Sequence, residues 1–319
     1  SASSGRLQVV ADDLTKRKSF DAVKAVLDYD PLTIDIIAAK TMGRTQLSTG
    51  NEDDQDLYGI NANWQLQDDF NTEVEAYFFA KLDKNIDDQT EGAKPDTVYM
   101  PGLKASSSPI EGLWTSAEIA WQHGNKTSRL ASTLLDTGTT ADNLKRNALG
   151  IQTISSYAIP GDSIAKYAPI ISGSYTYVTG DSNPEDARDT ALSMASRNYW
   201  TQWDPMFENQ GGNKIVNAIF PLSNCHVSEI GVQFTPLEDI TAKVTWTGLQ
   251  LDKEMDPANL PTWTLGMPDG TLDNMIVVSD EDDIGWELDV DLAYDYTEDV
   301  QIGFSAGWFF PGEVFADTN

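Results

Sequence analysis

Positive charge is what this sequence has least of: Lys and Arg number 21 against 50 Asp and Glu, a formal net charge of −29. Nucleic acids and anionic membrane surfaces both need clustered cations, so neither is expected as a partner. Most of the acid is read as solvating long surface loops. A single cysteine, Cys225, excludes an internal disulfide framework. No run of about 20 apolar residues exists, and mean hydropathy is −0.36, which excludes a helical membrane protein. The opening Ser1-Ala2-Ser3-Ser4-Gly5 lacks a charged n-region and an apolar h-region, so it is read as a mature or trimmed end without a signal peptide. Gly-rich phosphate loops, Ser-His-Asp arrangements and basic-aromatic patches are missing too. A transmembrane β-barrel passes every one of these exclusions, because its strands are only half apolar.

The stretch 284–310 carries the positive evidence. Ile284, Trp286, Leu288, Val290, Leu292, Tyr294 and Tyr296 occupy every second position, with Glu287, Asp289, Asp291 and Asp295 between them. After Thr297-Glu298-Asp299 the alternation restarts as Val300, Ile302, Phe304, Ala306, Trp308 and Phe310. A period of two gives strands, and two strands with a tight turn give a hairpin. Within the oily face the aromatics Trp286, Tyr294, Tyr296, Trp308 and Phe310 stand at the ends and aliphatics in the middle, the order of a lipid-facing surface. From 284 to 296 the chain advances roughly 40 Å at about 3.3 Å per residue. Tilted by about 45°, that becomes roughly 28 Å, close to the apolar band of outer-membrane barrels.

Thirteen strand-like segments follow from the same reading, near 5–10, 19–29, 32–41, 56–66, 72–82, 97–106, 113–122, 147–159, 165–178, 226–237, 241–251, 284–296 and 300–310. Short connections alternate with long ones, the layout of periplasmic turns and extracellular loops. The expected fold is all-β, one transmembrane antiparallel up-and-down barrel domain over 1–319. Thirteen is odd, and bacterial barrels close with even numbers, so at least one further strand is expected beyond 319 and others before the first. Aromatics recur at both strand ends, with Tyr58, Trp121, Tyr175 and Tyr177 on the long-loop side and Tyr29, Trp64, Tyr157 and Phe234 on the short-turn side. The girdle is assigned to Tyr29, Trp64, Trp121, Tyr175, Tyr177, Trp286, Tyr294, Tyr296, Trp308 and Phe310.

At this point the residues resemble a known family. Gly5-Arg6 opening a strand, Ser19-Phe20-Asp21-Ala22-Val23-Lys24, and Asp56-Leu57-Tyr58-Gly59 are similar to landmarks of the alginate-export family of outer-membrane β-barrels. So are Gly173-Ser174-Tyr175-Thr176-Tyr177-Val178-Thr179-Gly180-Asp181 followed by Trp203-Asp204-Pro205-Met206-Phe207, and the later Ile284-Gly285-Trp286-Glu287-Leu288-Asp289 and Phe309-Phe310-Pro311-Gly312. The resemblance spans most of the chain. It implies a monomeric barrel of about eighteen strands that conducts an anionic polysaccharide outward through a cation-lined lumen.

The residues expected to line the pore depart from that lining. Lys24, Lys81, Lys166 and Lys243 face Asp28, Asp35, Glu73, Glu75, Glu118, Glu229, Glu287, Asp289, Asp291 and Asp295, and most of the seven arginines fall in predicted loops. Such a wall disfavours polyanions and favours cations. Neutralising Glu287, Asp289 and Asp291 is accordingly expected to lower cation preference.

Other chemistry is thin. His123 and the pair Cys225-His226 are the only soft ligands, short of the four donors a metal site needs. Acidic clusters at 181–189 and 279–283 offer at most loose Ca²⁺ binding, without the twelve-residue loop spacing. Glu73 with Glu75, and Glu287 with Asp289, place carboxylates about 7 Å apart along a strand. Two residues of one strand seldom flank a bond as a glycosidase requires, so no enzyme and no cofactor are expected. The segment 191–200 is read as a short helix, either folded into the pore or on the surface, and the loop 179–225 as narrowing the pore. The expected function is an outer-membrane channel for passive diffusion or export of a hydrophilic solute or polysaccharide, with outer-membrane lipid around it. Two readings stay open beside it, a structural barrel sheathing a partner protein and a soluble β-sandwich.

Overall fold

The computed structural model describes residues 21–42, 55–83, 95–127, 143–161, 164–181, 199–206, 214–254 and 281–315. Thirteen strands form one sheet: β1 (Asp21–Asp28), β2 (Leu32–Met42), β3 (Gln55–Gln65), β4 (Glu73–Asp83), β5 (Asp96–Ile110), β6 (Leu113–Thr127), β7 (Asn143–Ala158), β8 (Ile170–Val178), β9 (Tyr199–Trp200), β10 (Cys225–Leu237), β11 (Ile240–Leu251), β12 (Asp283–Thr297) and β13 (Val300–Pro311). Among the described residues one short α-helix, α1 (Lys214–Ile219), lies between β9 and β10. Apart from β9, each strand pairs antiparallel with the next along the path β1 to β13, which is the meander of an up-and-down barrel wall. The two-residue β9 lies off that path, parallel to the start of β7.

Registers carry the alternation from strand to strand. Asp35, Asn61, Tyr77, Gly102, Ala120, Gly150, Val178 and Cys225 stand opposite one another in turn across β2 to β10. One row over, Thr33, Asn63, Glu75, Lys104, Glu118, Gln152, Thr176 and Val227 do the same. These rows share the inner face. The outer face carries Ile60, Trp64, Phe78, Leu103, Ile119, Ile230, Val232, Phe304 and Trp308, all exposed. Apolar side chains exposed outside and polar ones buried inside reverse the order of a water-soluble protein, as a wall solvated by lipid requires.

The buried apolar cluster sits on the inner face. Met100, Ala120, Ala148, Val178, Val227 and Leu249 of the wall meet Trp203, Val216, Phe220 and Leu222 of the segment between β8 and β10. That segment therefore folds back against the wall.

Turn chemistry closes the short-turn rim. Asp68 accepts the backbone N–H groups of Phe70 and Thr72, bonds to the charged carboxylate that hold its pKa below the ordinary value. Gly112 turns β5 into β6 at φ +80°, where a Cβ would stand 2.4 Å from the Ala158 carbonyl oxygen.

Several expected boundaries shift. The 5–10 strand lies outside the described residues. β8 begins at Ile170, because Ala165–Tyr167 form a 3-10 turn ahead of Pro169. Lys166, expected to line the pore, is therefore an exposed turn residue whose ammonium lies 4.6 Å from the centre of the Tyr167 ring. β5, β6 and β7 reach farther toward the loops than expected, which brings Asp96, His123 and Arg146 into strands. Ile284 turns inward into the buried cluster. Its parity flips at an irregularity where Leu249 pairs with Gly285 and the next residue, Gln250, with Asp283. One extra residue exchanges the faces beyond it, and Gly285 allows this at φ +124°.

Candidate functional site

Two described parts of the segment after β8, 199–206 and 214–224, lie against the inner face, one held by β4, β6 and β7 and the other by β12 and β13. Asp204 forms the first anchor. Its carboxylate oxygens each stand 2.9 Å from the Lys81 ammonium of β4, and Arg146 of β7 approaches to 3.5 Å. Gln122 of β6 clamps the backbone on both sides, donating to the Asp204 carbonyl at 2.7 Å and accepting its N–H at 2.9 Å. Burial alone would raise the Asp204 pKa, but Lys81 and Arg146 outweigh it and hold the carboxyl at about 2.

Arg146 also donates to Asp96 at 2.6 Å, and Lys126 pairs with Asp96 at 3.0 Å. Two carboxylates and three cations thus share one partly buried network. Beside it Trp203 lies over Gly150, where a Cβ would come within 2.9 Å of the indole. Glycine at that position lets the ring reach the wall.

The second anchor is α1. Its Ile215 and Val216 N–H groups donate to the two Glu287 oxygens at 2.9 and 2.8 Å, and Lys214 N–H reaches Asp289 at 3.5 Å. Free N–H groups at the start of a helix suit a carboxylate. The Lys214 ammonium pairs with Asp291, which also accepts from Ser305. Phe220, just past the helix, packs on Phe309 at 5.5 Å and Phe315 at 6.1 Å. Gly307 leaves room for Ile215, whose Cδ1 would lie 3.4 Å from a Cβ there.

The expected pore-lining residues fall into two groups. Lys24 pairs with Asp35 at 3.1 Å, and Asp28, Glu73, Glu229, Lys243, Asp291 and Asp295 occupy inner-face positions with some exposure. Glu75, Lys81, Glu118, Glu287 and Asp289 are buried. Glu75 lies 3.8 Å from Lys104, Glu118 accepts from the Tyr77 hydroxyl, and Glu287 and Asp289 are 0% exposed beneath α1. Period-two reading finds which face a residue takes, but not what covers it.

Lys104, Asp96, Gln122, Arg146 and Asp204 were missed. For Lys104 the parity of β5 already gives the inner face; for Arg146 the extra strand length carried no apolar signal. The end of the predicted helix at 191–200 is instead the strand β9, and the rest of it lies outside the described residues. The described α-helix, Lys214–Ile219, has no matching sequence pattern, because its capping carboxylate comes from β12.

On the outer face stand Trp64, Trp121, Tyr175, Trp286, Tyr294, Tyr296, Trp308 and Phe310, all exposed; Tyr29 is exposed at the first short turn. Trp286 stacks on Phe310 at 4.0 Å, and Tyr177 on His226 at 4.7 Å. His123 packs beside Tyr99 and Trp121 on the same face, so the two histidines do not converge. Among the described residues no three His, Cys, Asp or Glu side chains gather as metal ligands. Asp181 instead accepts the Thr201 N–H at 3.0 Å, and 182–189 lie outside the described residues.

A family model described as alginate export matches residues 2–319. The chain belongs to the alginate export family. This membership makes it a channel protein of the bacterial outer membrane for hydrophilic solutes, with the β-barrel fold its sheet displays. Solved structures similar to it include a NanC porin, at 12% identity over 74% of this chain and 83% of that one, with a TM-score of 0.32. Another is OccK8 (OprE) of Pseudomonas aeruginosa, at 10% identity over 91% of this chain and 67% of that one, with a TM-score of 0.46. No curated protein matches the chain.

Proposed function

We propose that the chain passes small hydrophilic cations and neutral solutes by passive diffusion, and that the strap formed by 199–206 and 214–224 narrows the path. The observation that supports this is the excess of partly exposed carboxylates over ammonium groups on the inner face. Asp28, Asp35, Glu73, Glu229, Asp291 and Asp295 are inner-face carboxylates with some exposure, whereas the comparable ammonium groups are Lys24, Lys214 and Lys243. Fixed carboxylates along a low-dielectric wall concentrate cations and repel polyanions.

The reading includes no catalysis. The two carboxylate pairs with a hydrolase-like spacing are engaged elsewhere, Glu73 with Asn63, Glu75 with Lys104, and Glu287 and Asp289 with α1. The outward aromatics act as the girdle at both lipid interfaces.

Planar-bilayer recording under a salt gradient tests the proposal. A cation-selective reversal potential that oligouronates leave unchanged is expected. It should move toward zero in a triple variant Asp35→Asn, Glu229→Gln, Asp295→Asn. Anion selectivity with uronate block would overturn the proposed selectivity. Silence from a correctly folded barrel would instead favour a scaffold around a protein partner.

A further inference from the structure

We propose that the outer wall holds one phospholipid of net negative charge, with an acyl chain in a groove across β5, β6 and β7 and its phosphate on Lys145. The groove measures about 570 Å³ and is lined by Pro101, Leu103, Ile119, Trp121 and Leu149, with Asn147 at its long-loop end. Its floor follows from the backbone. Tyr99 pairs with His123 and Gly102 with Ala120, and between them Pro101 brings no N–H to the ladder. Pro101, shorter than the Leu103, Ile119, Trp121 and Leu149 side chains around it, leaves a channel between them.

The lining is apolar except at one end, where the Trp121 indole N–H donates to Asn147 at 2.9 Å. In a lipid-facing groove that bond leaves the indole satisfied.

Charge identifies the occupant. On the outer face of β5, β6 and β7, the described positions include no Asp or Glu and one Lys or Arg, the exposed Lys145. Lys145 stands two residues beyond Asn147 toward the long-loop rim, where a lipid headgroup meets water. In a chain of net charge −29, this acid-free sector with a cation above an apolar groove matches an anionic amphiphile. A second copy of the chain would bring no complementary anion to Lys145 from this same sector.

Native mass spectrometry of the folded, detergent-solubilised chain, titrated with phosphatidylglycerol or phosphatidylcholine, tests this. Wild type should keep one phosphatidylglycerol under activation that removes phosphatidylcholine. Lys145→Gln should weaken phosphatidylglycerol about fivefold, the factor for about 1 kcal/mol per surface cation, and bring it level with phosphatidylcholine. Leu149→Trp, which fills the groove, should lose both, with heat-modified gel mobility checking that the barrel is folded.

A second readout does not depend on that variant. Phosphatidylglycerol with brominated chains should quench wild-type fluorescence more than that of Trp121→Phe. Equal retention of the two lipids by wild type, or quenching that Trp121→Phe leaves unchanged, would overturn the proposal. So would a dimer that Leu149→Trp dissolves, which would assign the groove to a second copy.

Discussion

Asp204 joins a loop to a wall through groups that cannot all be solvated at once. Arg146 is 2% exposed and Lys81 11% at the side chain, so removing Asp204 takes from two largely buried cations a carboxylate they share, while Arg146 keeps Asp96. Breaking a buried pair from one side costs about 3–5 kcal/mol. Asp204→Asn is therefore expected to free the strap and raise single-channel conductance. Adding Lys81→Met to it should recover part of the loss, a non-additivity that a double-mutant cycle reads directly.

The same carboxyl sets a pH dependence. A folded-state value of about 2 against an ordinary 3.8 means the anchor contributes fully above 3.8 and is lost as pH falls toward 2. Conductance should hold steady from neutral pH down to about 4 and increase only in that acid window. A second test at this scale is Gly150→Leu, which should displace Trp203. Overpacking of this kind costs about 1–3 kcal/mol, and the indole's fluorescence should shift as the ring gains water.

Among the elements, α1 is too short to be stable alone. Six residues make little more than a turn, and isolated helices below about 12 residues are marginal. Glu287 supplies what is missing, accepting two N–H groups at the helix start. Hydrogen bonds to a charged group are worth about 1.5–3 kcal/mol, so Glu287→Gln should loosen the helix and appear as larger open-channel current noise. Mean ion selectivity should change little, since Glu287 is wholly covered.

This corrects the expectation that Glu287 and Asp289 act on the permeating ion. Their alternation with Trp286 and Leu288 was legible in the sequence, because a strand with one lipid face repeats every second residue. Their partner was not, since α1 lies 72 residues earlier in the chain and Lys-Ile-Val-Asn-Ala-Ile carries no helical stripe. The same limit hid the Asp204 anchor, whose partners Lys81, Gln122 and Arg146 come from three different strands. Ile284 was assigned to the wrong face because a bulge shifts the period by one residue without a compositional trace beyond Gly285. Lys166 was misplaced because the polar residues before Pro169 extend the apparent strand. Period-two chemistry therefore reveals the wall, while contacts between distant segments determine what fills it.

Across the whole molecule, the strap ties two halves of the meander that are made at different times. Lys81, Gln122 and Arg146 precede Asp204 in the chain, whereas Glu287, Asp289 and Phe309 follow it. When β4 to β7 have paired, the first anchor has all its partners; the second must wait for the last hairpin. Assembly is thus expected to be ordered, with 199–206 seated early on a half-built wall and 214–220 seated last. Limited proteolysis during refolding should show 199–206 protected before 214–220. On this order, the meander pairs its later strands around a segment already lying across the inner face, so the path through the barrel is narrowed while the barrel is still being made.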